Sequence, residues 1–546
     1  MASQTFSARI TEHAHTRRTP ILYFRRYGEE EQSVTYEELL AQARGFSEHL
    51  RQANVAKGEV VLLFLPQGIE SISAFIGAIL HGAIPSFMPS QTDRQDPELF
   101  WGTHEKLFRK IRPGAILTQP DSAPRVSRML SDTEIKILTN EQIAGTNSAP
   151  QPPVEATPDD VLLLQHSSGT TGLKKGVMLS HRAVLTQLDL YAKSLELSDE
   201  DCIVSWLPLY HDMGLVACLL LSLSQGTPLV LLDPFEWVLA PMALMESIQD
   251  HSGTLVWLPN FAFNHLARTK SGEVHDLSSV RAFINCSEPC RASSFDLFLE
   301  TFRDWGVKAE QLQVCYAMAE MVYAATQTPL HKGPHYLEVD TDALTEGRVA
   351  IRSDGSTTRL VSNGTPLPTV KILIADSSGK PAPPLAVGEI YLKSDFMFSG
   401  YYKLEESRFT HDGWYRTRDM GFLHHGELYV LGRLDDLIII CGKNVYAHSI
   451  ETTVSGVDGV HPGRVVAFGI EDEKMATRQL VIIAETKLPE SEYRNLRERI
   501  NDQIVASFDL TPHTVKVVGP NWVVKTTSGK VSREANLKKF LQVVNV

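Results

Sequence analysis

The chain has 546 residues, 43% of them hydrophobic and 21% charged, a folding composition on a length that calls for more than one core. Its formal net charge of -13 argues against nucleic acid as a main partner, because phosphate backbones are bound by basic surfaces. The six cysteines are scattered, with only Cys286 and Cys290 close in sequence, and no apolar leader or bilayer-length apolar run is present; reduced thiols, no membrane span and a cytoplasmic location are expected.

In chain order, Thr35 and Glu38 form a capping-box pair ahead of a helical stripe of Leu39, Leu40, Ala43, Phe46 and Leu50. The apolar run 60–65 ends at Pro66 and predicts a buried strand; a helical stretch and the apolar run 83–87 follow. Strand, helix, strand in that order predicts parallel α/β architecture. Residues 147–160, rich in proline, alanine and acid, read as a surface linker. Beyond about residue 360, short strands broken by Gly and Asp take over, 426–433 among them, and mixed helix and strand follow Asp435. The expected organisation is a large α/β domain, residues 1–434, of parallel α/β subdomains plus a β-barrel-like subdomain. A small mobile α+β domain, residues 435–546, completes it.

The strongest local signal follows the predicted strand 161–164: Ser167, Ser168, Gly169, Thr170, Thr171, Gly172, Leu173, Lys174, Lys175 and Gly176. Small residues let a backbone close on a polyanion, hydroxyls and N–H groups donate to its oxygens, and lysine supplies charge. A triphosphate needs that chemistry, although a polar surface loop has similar composition. The P-loop spacing is absent.

This decad resembles the phosphate-binding signature of the acyl-adenylate-forming superfamily, with Lys174 in place of the usual proline and Lys175 as the family lysine. Further motifs follow in the family's order. The segment 315–320 resembles Tyr-Gly-x-x-Glu. It implies Tyr316 against adenine, flanked by Ala317 (usually glycine) and Met318, and Glu320 as a ligand of Mg2+ together with Thr170. Ser287, Glu288 and Pro289 resemble the loop that holds the adenine edge, and 206–214 resembles the acyl gate, in which His211 is implied to shape the entrance. Asp419 matches the carboxylate that accepts from the ribose hydroxyls, with Arg418 where glycine is usual. Arg433 is implied near the ribose, Asp435 as the hinge, and Lys530, in Lys-Thr-Thr-Ser-Gly-Lys, as the catalytic lysine.

Within the superfamily, His211–Gly214, the segments 259–263 and 276–279, and an insertion running from Leu337 to about Arg359 resemble fatty-acyl-AMP ligases. That implies an enzyme that uses ATP and Mg2+ to convert a carboxylic, fatty-type acid to acyl-AMP. The acyl group would then pass to the phosphopantetheine thiol of a separate acyl carrier protein. An acyl-CoA or aryl-CoA ligase, or a degenerate nucleotide binder without turnover, are the alternatives. Two expectations are specific to this chain. Ala217, Cys218, Cys286 and Ala317 should narrow the acyl site toward a shorter acid, and Lys525, Lys530, Arg533, Lys538 and Lys539 could steer an acidic carrier.

Overall fold

The computed structural model describes residues 4–89, 97–141, 154–166, 175–405, 407–440, 443–472, 477–508, 510–525 and 531–544. The helix Tyr36–Gln52 starts where the sequence places it. Thr35 Oγ1 accepts from the Glu38 N–H, and the Glu38 carboxylate accepts from the Thr35 N–H at 2.8 Å. Leu39, Leu40, Ala43, Phe46 and Leu50 are all buried, and the helix packs against the helix Ile69–His81. Gly77 lets these helices close up, since a Cβ there would lie 2.5 Å from both Ala43 O and Phe46 Cβ. Each buried aliphatic or aromatic side chain contributes about 1.5–3 kcal/mol.

The run at 60–65 forms the wholly buried strand Val60–Phe64, paired in parallel with Ile84–Phe87 on one side and Ala115–Thr118 on the other. A larger, nine-stranded sheet carries the centre of the molecule. Leu22–Arg25, Leu229–Leu232, Ile203–Ser205, Leu255–Leu258, Ala282–Asn285 and Leu312–Ala317 run parallel through it. Strands buried on both faces need not alternate, which is why they read as unbroken apolar runs. In such sheets ligands bind beyond the carboxyl ends of the strands.

The β-rich part after residue 360 is a four-stranded antiparallel sheet in the order Lys371–Ala375, Gly388–Lys393, Tyr415–His424, Glu427–Arg433. The expected insertion folds as a strand pair, Tyr336–Asp340 with Thr357–Val361. Its Val339 and Val349 pack on Phe422, Tyr429 and Leu431 of that sheet, with Tyr446 at the edge of the cluster.

After Arg433, a single 3-10 turn, Leu434–Asp436, leads to residues that gather round their own core of Ile438, Ile450, Val454, Ala467, Ile482, Leu496, Ile500 and Ile504. A three-stranded sheet and the helices Ala447–Ser455, Tyr493–Phe508 and Arg533–Val544 build this unit. Among the described residues no helix is long and apolar enough to cross a membrane.

Candidate active site

A large cleft of about 3150 Å3 extends from the carboxyl ends of the central strands across to the insertion and the C-terminal unit. At the end of Ala282–Asn285 the chain turns through Ser287 at φ 70°, a left-handed conformation that throws Glu288 and Pro289 to the cleft wall. The loop is held from below. Asn285 donates to Asn260 at 3.0 Å, Asn260 to Ser294 at 3.1 Å, and the Phe261 N–H to the Glu288 carboxylate at 3.0 Å. Tyr316, Ala317 and Met318, from the neighbouring strand, line the same space.

Opposite them stands Asp419. Tyr316 donates its phenol proton to one carboxylate oxygen, and Arg433 Nε donates to the other at 3.3 Å. Burial pushes the Asp419 carboxyl above the usual carboxylate range, against the pull of Arg433 and the Tyr316 bond. Burial also opposes the charge on Arg433, but Asp419 and Asp436 outweigh it.

Glu320 sits on a tight turn forced by Val322 at φ 63°, a costly conformation for a β-branched residue. The turn closes through Val322 N–H to Ala319 O at 2.9 Å and Met318 N–H to Tyr323 O at 2.8 Å. Tyr401 donates to Glu320 Oε1 at 2.7 Å, and Lys175 lies 5.1 Å over the Tyr401 ring. Lys175, Glu320 and Asp419, predicted from three distant motifs, therefore face one space. Among the described residues no cluster of three or more His, Cys, Asp or Glu could hold a metal alone. A divalent cation would depend on Glu320 together with nucleotide oxygens, which suits a hard, partly hydrated ion such as Mg2+.

His211 also lines the cleft, its Nδ1 2.8 Å from the Asp212 carboxylate. Asp212 caps the helix Met213–Leu220, whose wide π winding brings Gly214 so close to the preceding loop that a Cβ would meet Pro208 O at 2.6 Å. π windings of this kind concentrate at functional sites.

Ser167, Ser168, Gly169, Thr170, Thr171 and Lys530 lie outside the described residues. Their flanks are informative. The strands Val161–His166 and Gly176–Ser180 form a hairpin in which His166 pairs with Gly176, and both His166 and Lys175 line the cleft. Lys525 and Val531 likewise bridge each other across the residues between them and line the same cleft. Burial lowers the Lys525 ammonium, and Glu288 pulls it back up.

Two expectations change. Ala217 and Cys218 are completely packed in the core and Cys286 nearly so; of the four narrowing positions only Ala317 reaches the cleft, joined by Cys315. The terminal cations are also largely committed within their own unit. Arg533 pairs with Asp436 at 2.7 Å and with Glu451, Lys538 with Glu534 at 2.6 Å, and Lys539 donates to Trp522 O at 2.7 Å. A run of basic letters does not show which carboxylates will fold beside it. Tyr401 and Arg408 also line the cleft without having been singled out, because only their neighbours carry recognisable motifs.

The profile of the AMP-binding enzyme family matches residues 10–402. The chain belongs to that family. It is similar to the medium-chain-fatty-acid–[acyl-carrier-protein] ligase JamA of Moorena producens, at 28% identity over 95% of this chain and 92% of the relative. It is also similar to the long-chain-fatty-acid–AMP ligase FadD26 of Mycobacterium marinum, at 29% identity over 93% and 91%. In three dimensions it is similar to a structure from work on fatty acyl-adenylate ligases of E. coli and L. pneumophila. The TM-score is 0.91 at 25% identity, covering 100% of this chain and 98% of the other. A second likeness is to the L. pneumophila fatty acyl-adenylate ligase in complex with acyl adenylate and pyrophosphate, with a TM-score of 0.76 at 26% identity over 99% and 96%. This AMP-binding enzyme is an adenylate-forming ligase that uses ATP, most like the fatty-acyl-AMP ligases.

Proposed function

We propose that this ligase joins a carboxylic acid to AMP and passes the acyl group to the phosphopantetheine thiol of a separate acyl carrier protein. The observation that carries this reading is the convergence of Lys175, Glu320, Asp419 and Lys525 on one cleft, with Tyr316 and the 287–289 loop between them. The ribose would be held by Asp419, and adenine by the Tyr316 face and the 287–289 backbone. A magnesium ion, held by Glu320 and Thr170, would neutralise phosphate charge.

In the first half-reaction a carboxylate oxygen attacks the α-phosphorus and pyrophosphate leaves. Two anions must approach, so placement and cationic charge supply nearly all the help. Lys530, in the segment between Lys525 and Val531, would supply that charge at the carboxylate and α-phosphate. In the second half-reaction a thiol attacks the acyl carbonyl and AMP leaves. Residues 435–546 would act as a lid that turns about Asp435 to withdraw Lys530 and admit the thiol arm.

A carrier acceptor is favoured over free CoA by the insertion. Val339 and Val349 anchor it on the sheet beneath the lid, Tyr446 of the lid packs at its margin, and Arg359 ties it to Asp296 at 2.8 Å. A lid with that wedge beside it has less freedom to adopt a second arrangement.

The test is incubation with ATP, a panel of acids and either CoA or a phosphopantetheinylated carrier, with products weighed by mass spectrometry. Acid-dependent pyrophosphate release with acyl-carrier formation is expected, and preferential acyl-CoA formation would overturn the acceptor. Lys530→Ala should abolish adenylate formation while ATP binding survives; undiminished pyrophosphate release by that variant would overturn the lysine's role.

A further inference from the structure

The hinge turn carries two adjacent carboxylates, and each is held by a different part of the molecule. Asp436 pairs with Arg533 at 2.7 Å, inside the C-terminal unit, where Arg533 also holds Glu451. Asp435 is held from the other side: Arg418 forks onto both of its oxygens, Nε at 3.1 Å and Nη2 closer still. The bond to Arg418 holds the Asp435 carboxyl below the usual range.

Arg418 is an unusual place for such a group. Its φ is 64°, the left-handed region that costs a residue with a Cβ roughly 1–2 kcal/mol and costs glycine little. The conformation is imposed by Glu389, a buried carboxylate that accepts the Arg418 N–H at 3.1 Å and the Arg416 guanidinium at 2.9 Å. The backbone position thus tolerates glycine best, while the side chain found there reaches the hinge.

We propose that Arg418 is a positioning residue: its fork on Asp435, opposed by Arg533 on Asp436, clamps the connecting turn from both sides and biases the lid toward the arrangement in which Lys525 and Val531 line the cleft. The proposal rests on the two-step reading above. Asymmetry between the clamps decides which one releases. The Arg418–Asp435 side chains are 36% and 44% exposed, against 23% and 16% for Arg533–Asp436. The more exposed pair is the weaker and the more readily screened by salt. It would open first, leaving Asp436 with the lid as the lid turns.

The test measures lid position without chemistry. Spin labels introduced as Tyr27→Cys and Arg494→Cys, at exposed sites in the two units, report the distance distribution in the full-length protein without ligands, in low and high salt. Arg418→Gly removes the fork while suiting the backbone, so the fold is spared. The variant is expected to shift the ratio of lid arrangements by roughly two- to fivefold, the scale of an exposed ion pair. High salt should move the wild type the same way and the variant hardly at all. Asp435→Asn should match Arg418→Gly, and the double variant should add nothing. Superimposable distributions for wild type and Arg418→Gly at both salt levels would overturn the proposal. A purely structural arginine would alter melting without this salt dependence. If the distances shift but no acid supports pyrophosphate release, the clamp stands and the two-step reading falls.

Discussion

Tyr316 and Asp419, 103 positions apart in sequence, share a hydrogen bond in which the phenol donates to one carboxylate oxygen while Arg433 donates to the other. The carboxylate is pre-set between two donors on the cleft wall. Asp419→Asn keeps the size and removes the charge. It is expected to raise the KM for ATP by at least about tenfold, since hydrogen bonds to charged groups are worth about 1.5–3 kcal/mol. Tyr316→Phe should cost only a few-fold. Because burial raises the Asp419 pKa, protonation begins at a higher pH than for a free carboxylate, so the KM for ATP should climb as pH falls toward that range. ATP titrations of pyrophosphate exchange at several pH values check all three.

Glu320 and Tyr401 allow a separate test of the metal. Glu320→Gln still accepts from the Tyr401 hydroxyl but loses the charge a hard cation needs. The Mg2+ concentration for half-maximal pyrophosphate release should rise by about an order of magnitude, and excess Mg2+ should restore part of the rate. Tyr401→Phe, which leaves the carboxylate charge intact, should shift the Mg2+ requirement much less. Equal Mg2+ curves for wild type and Glu320→Gln would remove Glu320 from the metal site.

Much of this was legible in the letters, and the reason differs by element. The capping box at Thr35 and the buried run at 60–65 are local: propensity and pattern agree with the fold, so they read directly. The nucleotide residues were legible as motifs because their chemistry fixes residue type, although only the packing of the four-stranded antiparallel sheet against the central sheet brings Asp419 to Tyr316. Tyr401 was not legible, since a tyrosine in a loop becomes a partner of Glu320 only through the Phe398 N–H to Glu320 O contact that fixes its approach. The Arg418–Asp435 fork was likewise hidden. A departure from glycine reads as crowding until the left-handed backbone directs the side chain away.

The N-terminal helix Phe6–Thr16 carries a pH-sensitive joint. The Phe6 N–H donates to His181 Nδ1 at 3.0 Å, and burial lowers the His181 pKa to about 4. The folded state keeps this imidazole neutral, whereas the unfolded chain takes up a proton near pH 6.5. Below pH 6.5 the unfolded state binds more protons, so stability falls as pH drops and stops falling near pH 4. The contribution lost over that window is about 3 kcal/mol at most. His181→Asn retains an acceptor for Phe6 but does not titrate. Its unfolding free energy from urea titration should decline less than that of the wild type between pH 7 and pH 5. Parallel pH profiles would show that His181 is not responsible.

An acyl tail led past Cys315 would meet groups that do not belong in a passage for a long alkyl chain. Cys286 and Cys315 follow the paired residues Asn285 and Val314 on adjacent parallel strands, and Cys315 lines the cleft. Behind them lies Tyr323, fully buried, its hydroxyl beside the Cys286 thiol without an aligned hydrogen-bond partner. On that route a long tail would displace this ring from a close-packed core, where overpacking costs about 1–3 kcal/mol, so short acids should turn over best. Cys315→Gly removes a side chain at the cleft wall and should move the optimum toward longer acids by about one methylene, a group worth about 0.8 kcal/mol when buried. Tyr323→Phe separates packing from polarity. It keeps the wall and removes a buried hydroxyl whose hydrogen-bond neighbours are weak thiol partners, so melting should change little while the length preference stays put. A panel in which long-chain fatty acids give the highest kcat/KM in the wild type would show that the acyl tail takes another route.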